Sequence, residues 1–291
     1  MVKKKHWIPL LIIFSILFQN ALPAQQLSLQ LSAGLMNYGG DLQDKAYSFT
    51  LTHPTVGATL AYQVNHFVLR SGLVYGRVSA DDKQSTLYKD RNLNFTSNIT
   101  ELSFCLQYEF FLIDENRKFT PYVFAGIGLF HFNPYTYNGN TKVYLQPLGT
   151  EGQGLAIYPD RKFYSLTQIE DPFGIGIKYK VSPRIILGLE FNSRLVFTDY
   201  LDDVSKQYPD QTELFKARGQ LAVDLSFRGD EIDPTQPFPS GKIRGNPGQN
   251  DNYYTSVFTF TYTFPEHPLF GGNSGGGRRG GKSIACPKKV H

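Results

Sequence analysis

Alternation with a period of two runs through most of the chain. Near the C-terminus, Tyr254, Ser256, Phe258, Phe260, Tyr262 and Phe264 fall on one side of an extended chain, and Thr255, Val257, Thr259, Thr261 and Thr263 on the other. A helix would mix these two sets, whereas a strand with one apolar face and one small, polar face keeps them apart. Six other stretches behave alike: Leu27 to Leu35, Val56 to Val64, Leu69 to Gly76, Glu101 to Phe110, Phe173 to Tyr179 and Leu187 to Leu195. An eighth, Tyr122 to Phe132, is strand-like but apolar in both phases, so the pattern leaves its faces unassigned. Eight strands, each near the 9–11 residues that a tilted membrane strand needs, predict an all-β chain: an eight-stranded antiparallel transmembrane β-barrel of the outer-membrane type.

The connections support this independently. Long segments (Asn37 to Thr52, Ser79 to Asn94, Asn133 to Phe163, Thr198 to Asn252) alternate with short ones (Asn65-His66, Leu112 to Lys118, Lys180 to Arg184). Outer-membrane barrels have short periplasmic turns and long outer loops, which would put both termini in the periplasm of a Gram-negative bacterium. A soluble sandwich or lipocalin-like barrel would bury the apolar face instead. The polar face here is Gly, Thr, Ser, Gln, Glu and Arg, and Tyr and Phe gather near the strand ends of the apolar face like an aromatic girdle, which favours the membrane. Parity then aims Arg70, Glu101, Glu109, Lys178, Glu190 and Arg194 into the lumen. An eight-stranded bore is filled by its own side chains, so these charges are expected to pair as a plug, with no open pore or ion path.

Charged residues are only 19% of the chain and aromatics 14%, with no apolar run of spanning length. Lys3, Lys4 and Lys5 precede an apolar stretch from Trp7 to Phe18, and Ala21-Leu22-Pro23-Ala24 is a plausible cleavage site, so residues 1–24 read as a signal peptide. Residues 25–264 form the barrel, and residues 265–291 a flexible, basic, Gly-rich periplasmic tail. The whole chain carries +4. Losing three signal-peptide lysines leaves +1, and the tail alone carries +4 from Arg278, Arg279, Lys282, Lys288 and Lys289 against Glu266, so the barrel is −3. The basicity belongs to one arm, and a nucleic-acid partner is not expected.

Chemistry-bearing patterns are few. Asp199, Asp202 and Asp203, in Thr198-Asp199-Tyr200-Leu201-Asp202-Asp203-Val204-Ser205, could offer oxygen ligands to a hard cation, but the spacing is not that of an EF-hand and loop capping by Asp and Thr is favoured. His131 has no His-x-Ser pairing, and His53 and His66 sit at strand ends, so no enzyme, cofactor, metal or small-molecule substrate is expected. Cys105 faces the packed lumen by parity, where the tail's Cys286 cannot reach it. Cys286, on a mobile arm in an oxidising compartment, either bridges to another chain or stays an unpaired thiol.

Four stretches carry a resemblance. Phe130-His131-Phe132-Asn133-Pro134, then Leu145-Gln146-Pro147-Leu148-Gly149-Thr150-Glu151-Gly152-Gln153-Gly154, then Pro172 to Lys178, then Thr198 to Ser205, resemble the PorG family of outer-membrane barrels in type IX secretion and gliding machinery. The resemblance covers Leu27 to Phe264, with the segment Ala217 to Gln249 and the Arg/Gly tail departing from it. It implies a non-enzymatic protein that fixes a periplasmic ring, made of a lipoprotein and a soluble partner, to the outer membrane. It also singles out Glu151, Gln153, Asp199, Tyr200, Asp202 and Asp203 as an outer-loop motif. The alternative is a general OmpA-like structural or adhesive barrel acting through its outer loops.

Overall fold

The computed structural model describes residues 26–43, 51–85 and 88–265. The segments read as signal peptide and tail, with Cys286, Arg278, Arg279, Lys282, Lys288 and Lys289, lie outside the described residues. Eight long strands close on themselves: β1 (Gln26–Gly39), β2 (His53–Val64), β3 (Phe67–Asp81), β4 (Asn94–Glu109), β5 (Phe119–His131), β8 (Thr167–Lys180), β9 (Ile185–Val196) and β10 (Asn252–Thr263). Every neighbouring pair is antiparallel, and β1 pairs with both β2 and β10, so no barrel strand keeps a free edge. A small hairpin, β6 (Tyr135–Asn138) and β7 (Thr141–Tyr144), branches off β4 through a single Thr96–Tyr135 pairing.

The strand faces follow the period-two pattern. Leu31, Val56, Leu60, Leu73, Phe104, Ile127, Ile175, Leu189 and Phe258 are exposed around the circumference, while Thr59, Thr255, Thr259, Thr261 and Ser103 are buried inside. An apolar surface wrapping a whole barrel far exceeds the patch of a few hundred Å² that soluble monomers tolerate, and it is what a lipid-spanning barrel presents. Phe67, Tyr108, Phe110, Phe119 and Tyr179 ring the end with the short turns. The structure is thus a closed transmembrane β-barrel.

The strand that the pattern left unassigned is resolved by its neighbour. On β5, Tyr122, Phe124 and Phe130 point inward and Val123, Ile127 and Leu129 outward. The two inward rings stand beside glycines of β8, Tyr122 opposite Gly176 and Phe124 opposite Gly174. A Cβ on Gly176 would collide with the Tyr122 ring, and one on Gly174 with Phe124. Bulk on one strand is matched by its absence on the next.

At the other end the long connections fold over the barrel as a compact cap. Its apolar core joins strand ends (Met36, Val78, Phe95, Ile99, Phe130) to loop residues (Leu42, Leu93, Phe132, Leu145, Leu201, Val204, Leu225). The β9–β10 connection contains two short helices that the strand pattern did not predict, α1 (Gln211–Arg218) and α2 (Gln220–Ser226). Asp210 caps α1 by accepting from the Glu213 amide at 3.0 Å, and Gly219, at φ +80, separates the two helices in a conformation that glycine adopts freely. Leu214, Ala222 and Val223 are their buried face.

Gly176→Leu should force Tyr122 off Glu190 and lower stability by about 1–3 kcal/mol, measured by urea unfolding in lipid vesicles. A stability equal to wild type would contradict the ring-over-glycine packing.

Candidate functional site

Two buried polar regions are candidates for function, the lumen and the cap. In the lumen the six charges that parity places inside form three pairs, Arg70–Glu190 at 2.8 Å, Lys178–Glu109 at 2.6 Å and Arg194–Glu101 at 3.0 Å, and Glu170 of β8 is a further inward carboxyl outside them. Neutral groups complete the coordination. Arg70 also donates to Gln107 at 3.2 Å and lies over the Phe124 ring at 4.4 Å. Tyr122 donates to Glu190 at 2.8 Å, and Gln63 and Gln107 each donate to Glu109 at 3.0 Å. Towards the cap, Arg194 donates to the Thr255 hydroxyl at 2.6 Å and the Tyr253 hydroxyl bonds Glu170. The internal cavity left among these side chains is about 30 Å³, room for one or two waters. Cys105 borders this cavity as a free thiol.

The loop motif is the centre of the cap rather than a solvated edge. Glu151 is fully buried; one of its oxygens accepts from the Ser205 amide at 2.9 Å and from Arg244 at 3.1 Å, the other from the Lys206 amide at 3.0 Å and the Tyr200 hydroxyl at 3.1 Å. Gln153 accepts from the Glu151 amide at 2.9 Å. Asp203, at φ +68, accepts from Thr150 at 2.5 Å and Tyr164 at 2.8 Å. Asp202 and Asp251 both lie against the Tyr38 hydroxyl, at 2.6 and 2.8 Å. Burial first, and then repulsion between neighbouring carboxylates, holds both carboxyls well above the ordinary range. Asp202 also accepts from the Val204 amide at 2.8 Å, which is local loop capping. Among the described residues, no three His, Cys, Asp or Glu side chains converge as metal ligands.

Sequence reasoning missed Tyr38, Tyr164, Arg244 and Asp251, the partners that bury this motif. Their signal was indirect: an arginine and apolar residues inside long loops that, if solvated, would need neither. An open cleft of about 760 Å³ lies on the cap between Tyr88, Tyr208 and Lys242. Its arginines serve the fold, Arg91 gripping Asp82 at 2.6 Å and the Arg244 carbonyl at 2.5 Å.

Among the described residues the histidines form no catalytic set. His131 touches Thr167 at 3.1 Å and His66 the Glu109 carbonyl at 2.6 Å. His53 lies 2.7 Å from the Ser79 hydroxyl, a serine–histidine contact. Ser79 is only 6% exposed, however, and no carboxylate among the described residues hydrogen-bonds His53, so a nucleophile with an oriented base is not assembled.

Arg194→Leu should strand Glu101 without a counter-charge and cost about 3–5 kcal/mol, most of it recovered in Arg194→Leu/Glu101→Leu. Urea unfolding in vesicles reads this, and a single variant as stable as wild type would refute the paired plug. The cap carries a pH dependence. Burial pushes Asp199 up to about 7, with repulsion from Asp41 and Glu151 adding to it and the Ser205 hydroxyl partly offsetting it. Burial likewise lifts Asp203 to about 6 against the pull of Arg244, Thr150 and Tyr164. A raised folded-state value means full stability below the unfolded value, lost as pH climbs through the folded one. Intrinsic-rate-corrected amide exchange in residues 197–251 should therefore quicken between about pH 4 and about pH 7, and Asp199→Asn should flatten that rise; a rise unchanged in the variant would exclude Asp199 as a source.

Several solved barrels share the architecture. The chain is similar to Neisserial surface protein A (TM-score 0.41, 11% identity, covering 82% of this chain and 97% of that one). It is also similar to Ail of Yersinia pestis (0.39, 9%, 82% and 99%) and to the N-terminal barrel of Pseudomonas aeruginosa OprF (0.35, 12%, 82% and 99%). These likenesses reach no further than the barrel, which the strand pairing establishes by itself. No curated protein sequence matches the chain. The family described as a domain of unknown function, DUF6089, matches residues 5–224. With that span covering most of its 291 residues, the chain belongs to the DUF6089 family.

Proposed function

We propose that the protein is a non-enzymatic outer-membrane component of the type IX protein secretion and gliding machinery. In this reading it holds the periplasmic ring, a lipoprotein with its soluble partner, against the outer membrane. The observation that carries the reading is the filled lumen. With room for one or two waters, the barrel offers no conduit, so its work falls to the surfaces at its two ends. The resemblance of the 145–154 and 198–205 stretches to PorG-type barrels supplies the machine, and the basic tail supplies an arm that docks on the ring. In this arrangement the short turns and both termini face the periplasm, and Cys286 on the tail is placed to crosslink with the ring.

The second reading, a general structural or adhesive barrel, draws on the cap. It is an ordered surface with exposed Phe215, Ile232 and Ile243, unlike a set of solvated loops.

Deletion of residues 265–291 separates the two. Loss of cargo secretion, with the barrel still in the outer membrane, is expected for a ring anchor; unimpaired secretion and lost surface attachment on deleting residues 211–226 would favour the adhesin. Non-reducing electrophoresis of outer membranes beside Cys286→Ser tests the crosslink: a heavier, reducible band is expected in wild type alone, and monomer in both lanes would rule out covalent docking.

A further inference from the structure

The β6–β7 hairpin presents a face that neither the lumen nor the cap uses. Its inner face belongs to the cap: Val143 packs on the apolar core, and Thr136 is buried, donating to Asn94 at 2.5 Å and accepting from Arg228 at 3.3 Å. Strand alternation sends Tyr135, Tyr137, Lys142 and Tyr144 to the opposite face, where the register sets Tyr135 beside Tyr144 and Tyr137 beside Lys142. The Lys142 ammonium lies 3.7 Å from the Tyr135 ring centroid and 4.8 Å from that of Tyr144. Tyr137 and Tyr144 are about half exposed, at 51% and 43%.

This face continues the barrel's outer wall. Tyr135 pairs with Thr96 of β4, two residues along the same face from Asn98, and Asn98 accepts from the exposed Arg77 of β3 at 3.1 Å. Among the described residues neither Arg77 nor Lys142 makes an ion pair. Asp81, the acid on the same wall of β3, is turned to the Lys83 amide at 2.9 Å. Two cations without a counter-ion among the described residues therefore flank a tyrosine-rich strip.

Its height identifies what it meets. Along β4, Asn98 stands ten residues beyond Tyr108, a ring of the turn-end girdle. A strand tilted by roughly 40° climbs about 2.5 Å per residue, which puts Arg77 and Asn98 about 25 Å above that girdle, the height of the lipid-facing band. Below them on the same wall are exposed Leu73, Leu102 and Leu129. Cations and tyrosines at the rim of an apolar band sit among headgroups, with rings at the interface and charge on the phosphates.

We propose that Arg77, Asn98 and Lys142, with the exposed Tyr137 and Tyr144, form a binding site for the phosphorylated headgroup of a lipid in the leaflet at the cap end, the buried Tyr135 ring holding Lys142 in place from beneath. Arg77 and Lys142 each contact phosphate oxygens, Asn98 holds the Arg77 guanidinium outward, and the Tyr137 and Tyr144 rings pack on the sugar or glycerol of the headgroup. The site does not depend on the ring-anchor reading.

The test is native mass spectrometry of the full-length protein in detergent, with diphosphoryl lipid A as probe and the same lipid stripped of phosphate as control. Wild type should retain the phosphorylated lipid in preference to the stripped one. Arg77→Gln and Lys142→Gln should each weaken retention about fivefold, and the double variant more. Arg184→Gln, at the opposite end, should leave it unchanged, and heat-modifiable migration confirms that each variant is folded. Equal retention of the stripped lipid, undiminished retention in the double variant, or an equal loss in Arg184→Gln would overturn the proposal. So would complete displacement of the lipid by inorganic phosphate alone, which would make the site one for a free anion.

Discussion

Eight strands enclose a bore no wider than the side chains that fill it, so a charge pointing inward must find an opposite charge or a hydrogen-bond donor there, as Glu170 does in the Tyr253 hydroxyl. The rest of the molecule depends on that constraint. Arg70, Lys178 and Arg194 reach across the lumen to carboxylates on other strands, with 120, 69 and 93 residues of chain between partners. Each pair ties distant strands together and excludes the water that would make a channel. Such pairs add little net stability over an apolar filling, but removing one partner is costly, so they fix one arrangement of the lumen against others.

The cap extends the same logic beyond the membrane. Glu151 and Asp203 are buried in loops, where a carboxylate persists only if donors surround it. The donors come from Ser205, Lys206, Tyr200, Arg244, Thr150 and Tyr164, from segments as far apart as the β5–β8 and β9–β10 connections. Loops held in this way act as a rigid lid continuous with the barrel. With lumen and lid both closed, the outer wall, the cap surface and the turn end are the places where this protein can meet others.

Much of the barrel was legible because membrane strands write their two environments into alternate residues. The charges Arg70, Glu101, Glu109, Lys178, Glu190 and Arg194 could be placed inside by parity alone, though not matched, since matching depends on register between strands that the sequence does not align. The β5 strand was illegible for a related reason. Tyr122 and Phe124 are apolar and inward, and only the β8 partners Gly176 and Gly174 explain how they fit. The loop motif was visible as text, but its burial was not, because Arg244 and Asp251 meet it from 93 and 50 residues away. The helices α1 and α2 and the β6–β7 hairpin are short, and their fixing contacts come from the cap rather than from their own periodicity.

A filled, charge-paired barrel that works as a scaffold is the centre of this account, and single-channel recording in planar lipid bilayers tests it most directly. Purified, folded protein should insert without conductance steps above the lipid baseline across the applied voltage range. Stable, reproducible open steps from the wild-type protein would contradict it, because an open path through the lumen requires the Arg70–Glu190, Lys178–Glu109 and Arg194–Glu101 pairs to be absent.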